Sequence, residues 1–282
     1  MPFELENLGR WTEERTFVVT PEATVAYAAA TNDNSAPHLD GTIAPPMFAV
    51  VPALVDVATE AMRSVWISDV EGYDTRSLHG EHDLTIYTPI IPGMTLRSRA
   101  AAVGLERKAS GTLLVTRTET HDDRERLLNT MTFVNFLRDI YVETSVGEPA
   151  RDLGPARVDA SQLLTAIVYE VDQDQSFRYA DASGDYGTYH IDPDAARSSG
   201  LPDVIVHGLC TMAFVARAIV EACCAGDSRQ LRRLGVRFTR PLLPGQEMTI
   251  RIYRHGTATY AVEADDASGG GVIRRGIAEV NS

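Results

Sequence analysis

One segment of the chain is apolar on almost every side when it is drawn as a helix. Between residues 209 and 223, apolar side chains recur at intervals of three and four residues. The apolar positions are Leu209, Met212, Ala213, Ala216, Ile219, Val220 and Cys223. This pattern is typical of a helix that is buried on nearly every side. An apolar stretch at residues 47–62 predicts a second long helix in the first half of the chain.

Each predicted helix is followed by segments typical of β-strands. They span residues 83–89, 94–105, 112–122 and 126–137 in the first half, and 234–240, 248–255, 257–264 and 271–280 in the second. Their joints are short and rich in Asp, Ser and Gly, as in β-hairpins. A shorter extended piece precedes each helix, at residues 15–20 and 167–171. One buried helix followed by a strand meander predicts an α+β fold in which an antiparallel sheet wraps each helix.

The two halves repeat one signature at a fixed offset of 152 positions. Asp33 and His38 in the first half correspond to Asp185 and His190 in the second. The turn at residues 89–93 recurs with the same offset at residues 241–245. A repeat of this length indicates two copies of one module rather than a solenoid.

The repeat divides the chain into two domains of ordinary size. We expect a first copy at residues 1–138, a second copy at residues 161–282, and a linker at residues 139–160, where Gly and Pro are frequent.

Composition narrows the class of protein. The chain of 282 residues has a net charge of −13, which argues against nucleic acid as a partner, because phosphate binding needs clustered basic residues. Its three cysteines form no disulfide framework, and its start has neither a basic nor an apolar leader segment. The longest apolar stretch, residues 204–224, contains His, Arg and Glu and is too polar for a membrane span. We therefore expect a cytoplasmic protein.

The repeated signature joins residue types suited to acid–base chemistry. Asp185 ends a predicted short helix and His190 follows after four residues, so both side chains can surround one water. A histidine titrates near neutral pH and can exchange a proton there. Gly208 opens the buried helix, where a free backbone N–H and the helix dipole can bind a developing anion. Together these groups offer a base, an acid and an anion site. We expect His207 to be a structural neighbour of this turn, with a catalytic role as the alternative.

Three segments of the second half resemble those of the MaoC-like dehydratase family, which includes the (R)-specific enoyl-CoA hydratases called hydratase 2. They are residues 183–190, residues 207–211 and the Pro-rich turn that follows Arg240. The resemblance implies a fused double hotdog fold. One departure concerns substrate preference: the family usually has Asn-Pro where this chain has Gly187 and Thr188.

The resemblance also implies an activity. It implies a hydro-lyase of fatty acid metabolism that reversibly hydrates trans-2-enoyl thioesters to (R)-3-hydroxyacyl thioesters. Asp185 and His190 are then the catalytic pair, and the Gly208 N–H faces the thioester oxygen. The acyl carrier is left open between coenzyme A and acyl carrier protein, and we expect a homodimer. Two alternatives are a hotdog thioesterase, in which Asp185 or Asp33 directs water at the carbonyl, and a non-catalytic acyl-binding module.

The first copy keeps Asp33 and His38 but opens its predicted helix differently. If Pro46 takes the place of Gly208, no backbone N–H is available at that point. The first copy also lacks about ten residues of loop before its helix. We therefore expect one active site, in the second copy, with the first copy holding the acyl tail. Asp33 and His38 form a possible second or degenerate site.

Other polar clusters have plainer interpretations. Residues 79–83 hold two histidines and two acids, but their spacing fits no common zinc site and they open a predicted strand. We therefore expect no metal, and since no Gly-rich nucleotide motif is present, no cofactor. The five arginines between residues 229 and 240 form either a solvated face or a contact with coenzyme A phosphates.

Overall fold

The computed structural model describes residues 3–66 and 76–281. The strands among these residues form one antiparallel sheet in the order β1-β3-β4-β5-β2-β8-β11-β10-β9-β7, with β6 paired to β3. They are β1 (Arg15–Val18), β2 (Ser77–Ile86), β3 (Thr95–Lys108), β4 (Gly111–His121), β5 (Leu127–Arg138), β6 (Val146–Gly147), β7 (Leu163–Glu170), β8 (Leu231–Phe238), β9 (Glu247–Arg254), β10 (Thr259–Asp266) and β11 (Gly271–Val280). The strands predicted from the hydrophobic pattern are confirmed, although β2 begins earlier, at Ser77.

The strand order is symmetric about the central pair β2 and β8. Each strand of the first copy and its repeat equivalent in the second copy lie at the same distance from this centre. The central strands β2 and β8 are repeat equivalents and pair antiparallel, with Asp83 opposite Gly235, the residue 152 positions later. Repeat-related residues also meet on the helical side, where the rings of Tyr27 and Tyr179 lie 5.7 Å apart and their hydroxyls 3.4 Å apart. Contacts between equivalent residues place a pseudo-twofold axis through the junction of the two copies.

The helices occupy one face of the sheet. They are α1 (Pro21–Ala30), α2 (Ala36–Leu39), α3 (Thr59–Ser64), α4 (Gln175–Ser183), α5 (Thr188–Ile191), α6 (Pro193–Ser198) and α7 (Gly208–Cys223). Helix α7 is the predicted buried helix, and Cys210, Met212, Phe214 and Ile219 on it are fully buried. Within the described residues, no helix is long and apolar enough to cross a membrane.

The prediction of one long helix at residues 47–62 is wrong. The segment begins with a 3₁₀ turn at Pro46–Val50, continues as a π-helical turn at Leu54–Ala58 and becomes α-helical only in α3. Pro52 lies between the two turns. A proline inside a helix removes one backbone N–H donor and its ring displaces the preceding turn, so the apolar pattern is kept while the helix is broken.

Ion pairs join the two copies on the outer face of the central strands. Arg233 on β8 donates to Oδ2 of Asp83 on β2 at 2.6 and 2.9 Å, and to its Oδ1 at 3.2 Å. Arg237 donates to Glu81 at 2.7 Å. Neither alternative for the basic stretch anticipated this, because the acceptors lie about 150 positions earlier in the chain. These two arginines hold carboxylates of the other copy.

Candidate active site

A left-handed turn at the end of α4 places Asp185. Helix α4 ends at Gly184, whose φ of 77° is a conformation that favours glycine. The matching position in the first copy is Asn32, with φ of 53°, and asparagine tolerates this region better than most residues. Both copies therefore present their aspartate from the same kind of turn.

The backbone beyond the turn fixes the Asp185 carboxylate. The Gly187 N–H donates to its Oδ1 at 3.1 Å, and the short helix α5 then returns the chain so that His190 lies beside the carboxylate. A Cβ atom on Gly187 would lie 3.1 Å from the His190 ring and 3.3 Å from Asp185 Oδ1. The residue that departs from the family sequence therefore lies directly against both members of the pair.

Hydrogen bonding fixes the tautomer of His190. Its Nδ1 lies 2.7 Å from the carbonyl oxygen of Ile205, which can only accept, so Nδ1 carries the proton. The Nε2 lone pair is left as the basic position of a ring that is 6 % exposed. Asp185, His190 and His207 each bring one carboxylate oxygen or ring nitrogen within 4.8 Å of the others. Two acceptors about 4.5 Å apart can each accept one hydrogen bond from the same water.

His207 braces this arrangement. Its ring stacks on that of His190 with 3.7 Å between centroids and 22° between planes, and its Nε2–H donates to the backbone carbonyl of Asp185 at 2.9 Å. The sequence predicted a structural neighbour of the turn, but not its stacking on the ring of His190. The stacking also disfavours a shared metal ion, since imidazole lone pairs lie in the ring planes and one ion cannot lie in two near-parallel planes.

Gly208 lies at the start of α7, immediately after His207. The first backbone N–H groups of a helix have no intrahelical partner, so the Gly208 N–H is directed out of the helix start. A Cβ atom here would lie 3.3 Å from the ring of Phe238, so the glycine lets that ring approach closely. Phe238 is a wall of the site that the sequence did not indicate, because it lies on β8, thirty positions away.

Burial keeps the site histidines neutral. Removal from water lowers the pKa of His190 to about 3, and the neighbouring His207 adds to the shift. The same cause lowers the pKa of His207 to about 4. Both rings are therefore uncharged at neutral pH, and His190 Nε2 is free to take a proton there.

These pKa shifts predict an acid-sensitive fold. A histidine whose pKa is lowered in the folded state favours folding above its unfolded pKa of about 6.5, and this stability is lost as the pH falls below that value. We expect His190 and His207 each to lower the free energy of unfolding by about 1.4 kcal/mol per pH unit between pH ~6.5 and ~4.5. Urea melts across this range measure how the free energy of unfolding changes with pH. His190→Gln should reduce this slope by the contribution of one histidine, about 1.4 kcal/mol per pH unit. A flat profile, or an inflection of kcat at the ordinary histidine pKa, would contradict the assignment.

In the first copy, Asp33 and His38 are hydrogen-bonded directly to each other. His38 Nδ1 lies 2.7 Å from Asp33 Oδ2, and its Nε2 lies 2.9 Å from Ser228 Oγ of the other copy. Both ring nitrogens of His38 are therefore hydrogen-bonded, whereas among the described residues only Nδ1 of His190 has a hydrogen-bond partner. Ser228 could not be anticipated, because it lies 190 positions from His38. Pro46 opens the turn that follows this pair, so that residue offers no N–H.

A cleft of about 180 Å³ lies beside the first-copy pair and includes Arg217 and Glu221 in its walls. These two side chains form an ion pair with each other at 2.6 Å. The cleft gives solvent access near Asp33, but the side chain that would have to act as the base is held at both nitrogens.

We expect the first-copy pair to serve structure rather than turnover. Asp33→Asn removes a buried charged hydrogen bond and should lower the free energy of unfolding by about 1–3 kcal/mol. It should change kcat by no more than about threefold, because the pair holds no position for an activated water. Thermal melts and steady-state rates of this variant and of His38→Gln measure both effects. A collapse of kcat with unchanged stability would place the working site in the first copy.

Two families match the two halves of the chain. Residues 157–270 match the family described as MaoC like domain, and residues 36–139 match the MFE-2 hydratase 2 N-terminal domain. The second-half match contains the site built from Asp185, His190 and Gly208, and the first-half match contains His38.

Individual proteins agree with these matches. The chain is 29% identical to the peroxisomal multifunctional enzyme type 2 of Drosophila melanogaster, over 75% of this chain but only 36% of that protein. It is also 29% identical to the peroxisomal enoyl-CoA hydratase 2 of Arabidopsis thaliana, over 64% of this chain and 60% of that one. The chain thus spans about a third of the multifunctional relative.

Solved structures establish the fold. A MaoC-like dehydratase from Phytophthora capsici superposes with a TM-score of 0.87 at 22% identity, over 99% of this chain and 98% of that one. A Mycobacterium tuberculosis protein described as a double hotdog superposes with a TM-score of 0.62 at 16% identity, over 96% and 95% of the two chains. The predicted α+β fold, a fused double hotdog, is confirmed.

Proposed function

The chain belongs to the MaoC-like dehydratase and hydratase 2 family, and from this membership we propose that it is a hydro-lyase acting on acyl thioesters. It reversibly adds water to trans-2-enoyl thioesters and forms (R)-3-hydroxyacyl thioesters. One observation carries the proposal. The carboxylate of Asp185 and the ring of His190, whose proton-free nitrogen is Nε2, lie within reach of one water, next to the Gly208 helix start.

The hydrogen-bonding states of Asp185 and His190 support the following proposed steps of hydration. The water oxygen attacks C3 of the enoyl thioester while one water proton passes to His190 Nε2. Asp185 accepts the second water O–H, which orients the water, and its negative charge stabilises the transient imidazolium. The electron pair of the C2–C3 double bond moves toward C2 and the thioester oxygen. His190 then returns its proton to C2, so that water is added and the enzyme is unchanged.

The low pKa of His190 keeps Nε2 unprotonated at neutral pH and makes the transient imidazolium a ready proton donor to C2. A low pKa also makes the ring a weak base, and the negative charge of Asp185, which raises the pKa of His190, offsets this as the water is deprotonated. The negative charge that develops on the thioester oxygen is met by the Gly208 N–H at the positive end of α7. His190 delivers the proton from the side where the water was held, so H and OH add to the same face.

In this proposal the two copies have different roles. The second copy supplies the reacting groups, and the first copy supplies the surface for the acyl tail. The broken segment at residues 46–64 supports this division, because it does not fill the first copy with one regular helix as α7 fills the second. The acyl carrier is coenzyme A or acyl carrier protein. The residue ranges given for the two copies and the linker are part of the same proposal, and their outer ends, residues 1 and 282, lie outside the described residues.

One assay separates this activity from its alternatives. With a panel of trans-2-enoyl-CoA thioesters, a hydratase removes the absorbance of the conjugated double bond and releases no free thiol. A hotdog thioesterase releases thiol, and an acyl-binding module does neither. Thiol release at the rate of absorbance loss would reject hydration, and so would binding of the thioesters without any absorbance loss.

The product configuration is a separate prediction. We expect predominantly the (R)-3-hydroxyacyl thioester, because family membership implies one fixed placement of the water relative to the thioester. Chiral chromatography of the hydrolysed product measures it. A predominantly (S) product would reject the hydratase 2 assignment while leaving hydration itself intact.

The cellular compartment and the oligomeric state of the protein are also part of the proposal. Composition and cysteine usage favour a cytoplasmic protein, whereas several relatives are named as peroxisomal. We propose a homodimer with coenzyme A or carrier-protein thioesters as its substrates. Light scattering of the purified chain tests the dimer.

A further inference from the structure

The first-copy sheet has an unusual inner face. Within the described residues, nine buried side-chain atoms on three adjacent strands have no hydrogen-bond partner, and all but His121 Nδ1 lie on this face. Those on this face are His79 Nε2, both ring nitrogens of His82, the hydroxyls of Thr116 and Thr118, both amide atoms of Asn129, and Asn135 Oδ1. Buried polar groups are normally paired, so a concentration of unpaired ones on one surface needs an explanation.

Strand register places these groups on one face. Phe133 on β5 pairs with Thr116 on one side and His82 on the other. Alternate residues of a strand share a face, so Asn129 and Asn135, four positions before and two positions after Phe133 on β5, face the same way. Four of the six residues are almost wholly buried: His82, Thr116 and Thr118 at 0% exposure and Asn129 at 1%.

The charged neighbours lie on the opposite face. A register shift between His79 and Glu81 puts Glu81 and Asp83 on the other face of β2 from the two histidines. There they are held by Arg237 and Arg233. Burial lowers the pKa of His79 to about 4, so its ring is neutral. The unpaired groups are therefore imidazoles, hydroxyls and amides, which suit a neutral ligand with donor and acceptor atoms.

This face begins at the candidate active site. The His79 ring lies 5.1 Å from that of Phe238, and Phe238 is the side chain that approaches Gly208. At the other end, Asn129 lines a small cavity of about 20 Å³ together with Pro46 and Ser228. A space of that size holds about one water, so an acyl tail needs a wider opening.

The element over this part of the first copy is suited to move. Residues 46–64 begin as a 3₁₀ turn and continue as a π-helical turn, and such irregular turns are frequent at functional sites and hinges. Pro46 belongs both to this segment and to the wall of the small cavity beside Asn129. A shift of the segment would open that cavity along the polar face.

We propose that the inner face of β4, β5 and β2 binds an acyl tail bearing neutral oxygen functions, such as hydroxyl or carbonyl groups, and that residues 46–64 shift to admit it. This deepens the proposed hydratase function and rests on it for the identity of the reacting end. A plain alkyl tail would leave the unpaired groups without partners, whereas an oxygenated tail would satisfy some of them. A site built to hydrogen-bond a substrate group discriminates against the analogue that lacks it.

The test compares tails of equal length. Values of kcat/KM are measured for trans-2-octenoyl-CoA and for derivatives of it that carry one hydroxyl at different positions of the tail. At least one hydroxylated substrate should be favoured by about 10–100-fold. Thr118→Val replaces an unpaired hydroxyl by a group of the same shape, so it should lower that preference without loss of stability. His82→Leu should lower it as well.

Thr120→Val is the matched control. Thr120 is also buried on this face of β4, but its hydroxyl is paired with Ser98 at 2.9 Å. Its replacement should reduce stability and leave the preference unchanged. Preference of the wild type for the alkyl substrate, or an unchanged preference in Thr118→Val and His82→Leu, would overturn the proposal.

A binding measurement distinguishes failure of the hydratase proposal from failure of the tail-binding proposal. If no enoyl thioester is hydrated, equilibrium binding of octanoyl-CoA and its hydroxylated derivatives still measures the tail preference. Tighter binding of a hydroxylated probe that is lost in Thr118→Val supports the polar tail surface. Equal binding of both probes rejects it.

Discussion

Asp185→Asn and His190→Gln should each lower kcat for enoyl-thioester hydration by about 10²–10⁴-fold, the usual contribution of a positioned acid or base. Glutamine lacks the basic nitrogen that takes the water proton. Asparagine lacks the negative charge that orients the water and stabilises the imidazolium. Because the proposed mechanism has both side chains act on one water, the double variant should be little worse than either single variant. Steady-state rates at saturating substrate measure all three.

The control for this prediction is folding. In the part of the chain that the structure describes, the Asp185 carboxylate accepts from one backbone N–H, and asparagine can keep that bond through its own carbonyl oxygen. Unchanged circular dichroism with lost turnover would therefore assign the loss to chemistry. Near wild-type rates in either single variant would remove Asp185 and His190 from the active site.

Breaking the ion pair between the two copies should have the largest effect on stability. Arg233 and Asp83 have side chains only 8% and 6% exposed and lie on the two central strands. Asp83→Asn removes the more buried of the two carboxylates that pair with Arg233 and leaves only Glu279, whose side chain is 41% exposed, so it should cost about 3 kcal/mol of unfolding free energy. Chemical denaturation, monitored by circular dichroism, measures the change.

A surface ion pair provides the comparison. Arg229 and Asp227 are bonded at 2.8 Å, but the Arg229 side chain is 69% exposed. Arg229→Met should change the free energy of unfolding by less than about 1 kcal/mol, because water and salt screen exposed pairs. Equal effects of the two substitutions would show that Asp83 and Arg233 do not hold the central strands together.

Much of the architecture could be predicted because the sequence contains two copies of the same module. The offset of 152 positions joins Asp33 to Asp185 and His38 to His190, and the structure places repeat-related Tyr27 and Tyr179 in contact. Strand alternation and the apolar stretch of α7 depend on local periodicity, which sequence shows directly. Gly208 was correctly placed at the start of that helix.

The remaining features depend on tertiary contacts that sequence spacing does not show. The helix predicted at residues 47–62 is broken, since Pro52 outweighs the apolar periodicity. The stacking of His207 on His190 arises from a loop of sixteen intervening residues whose path has no sequence signature. The contact of Ser228 with His38 and the pairing of Arg233 with Asp83 join residues of different copies.

The most direct test is the product formed from a trans-2-enoyl-CoA by the wild-type protein and by Asp185→Asn, with Asp33→Asn as the matched first-copy variant. We predict the (R)-3-hydroxyacyl-CoA from the wild type and from Asp33→Asn at comparable rates. Asp185→Asn should form it at least about a hundredfold more slowly. An (S) product, or loss of turnover in Asp33→Asn with full turnover in Asp185→Asn, would contradict a single hydratase site in the second copy.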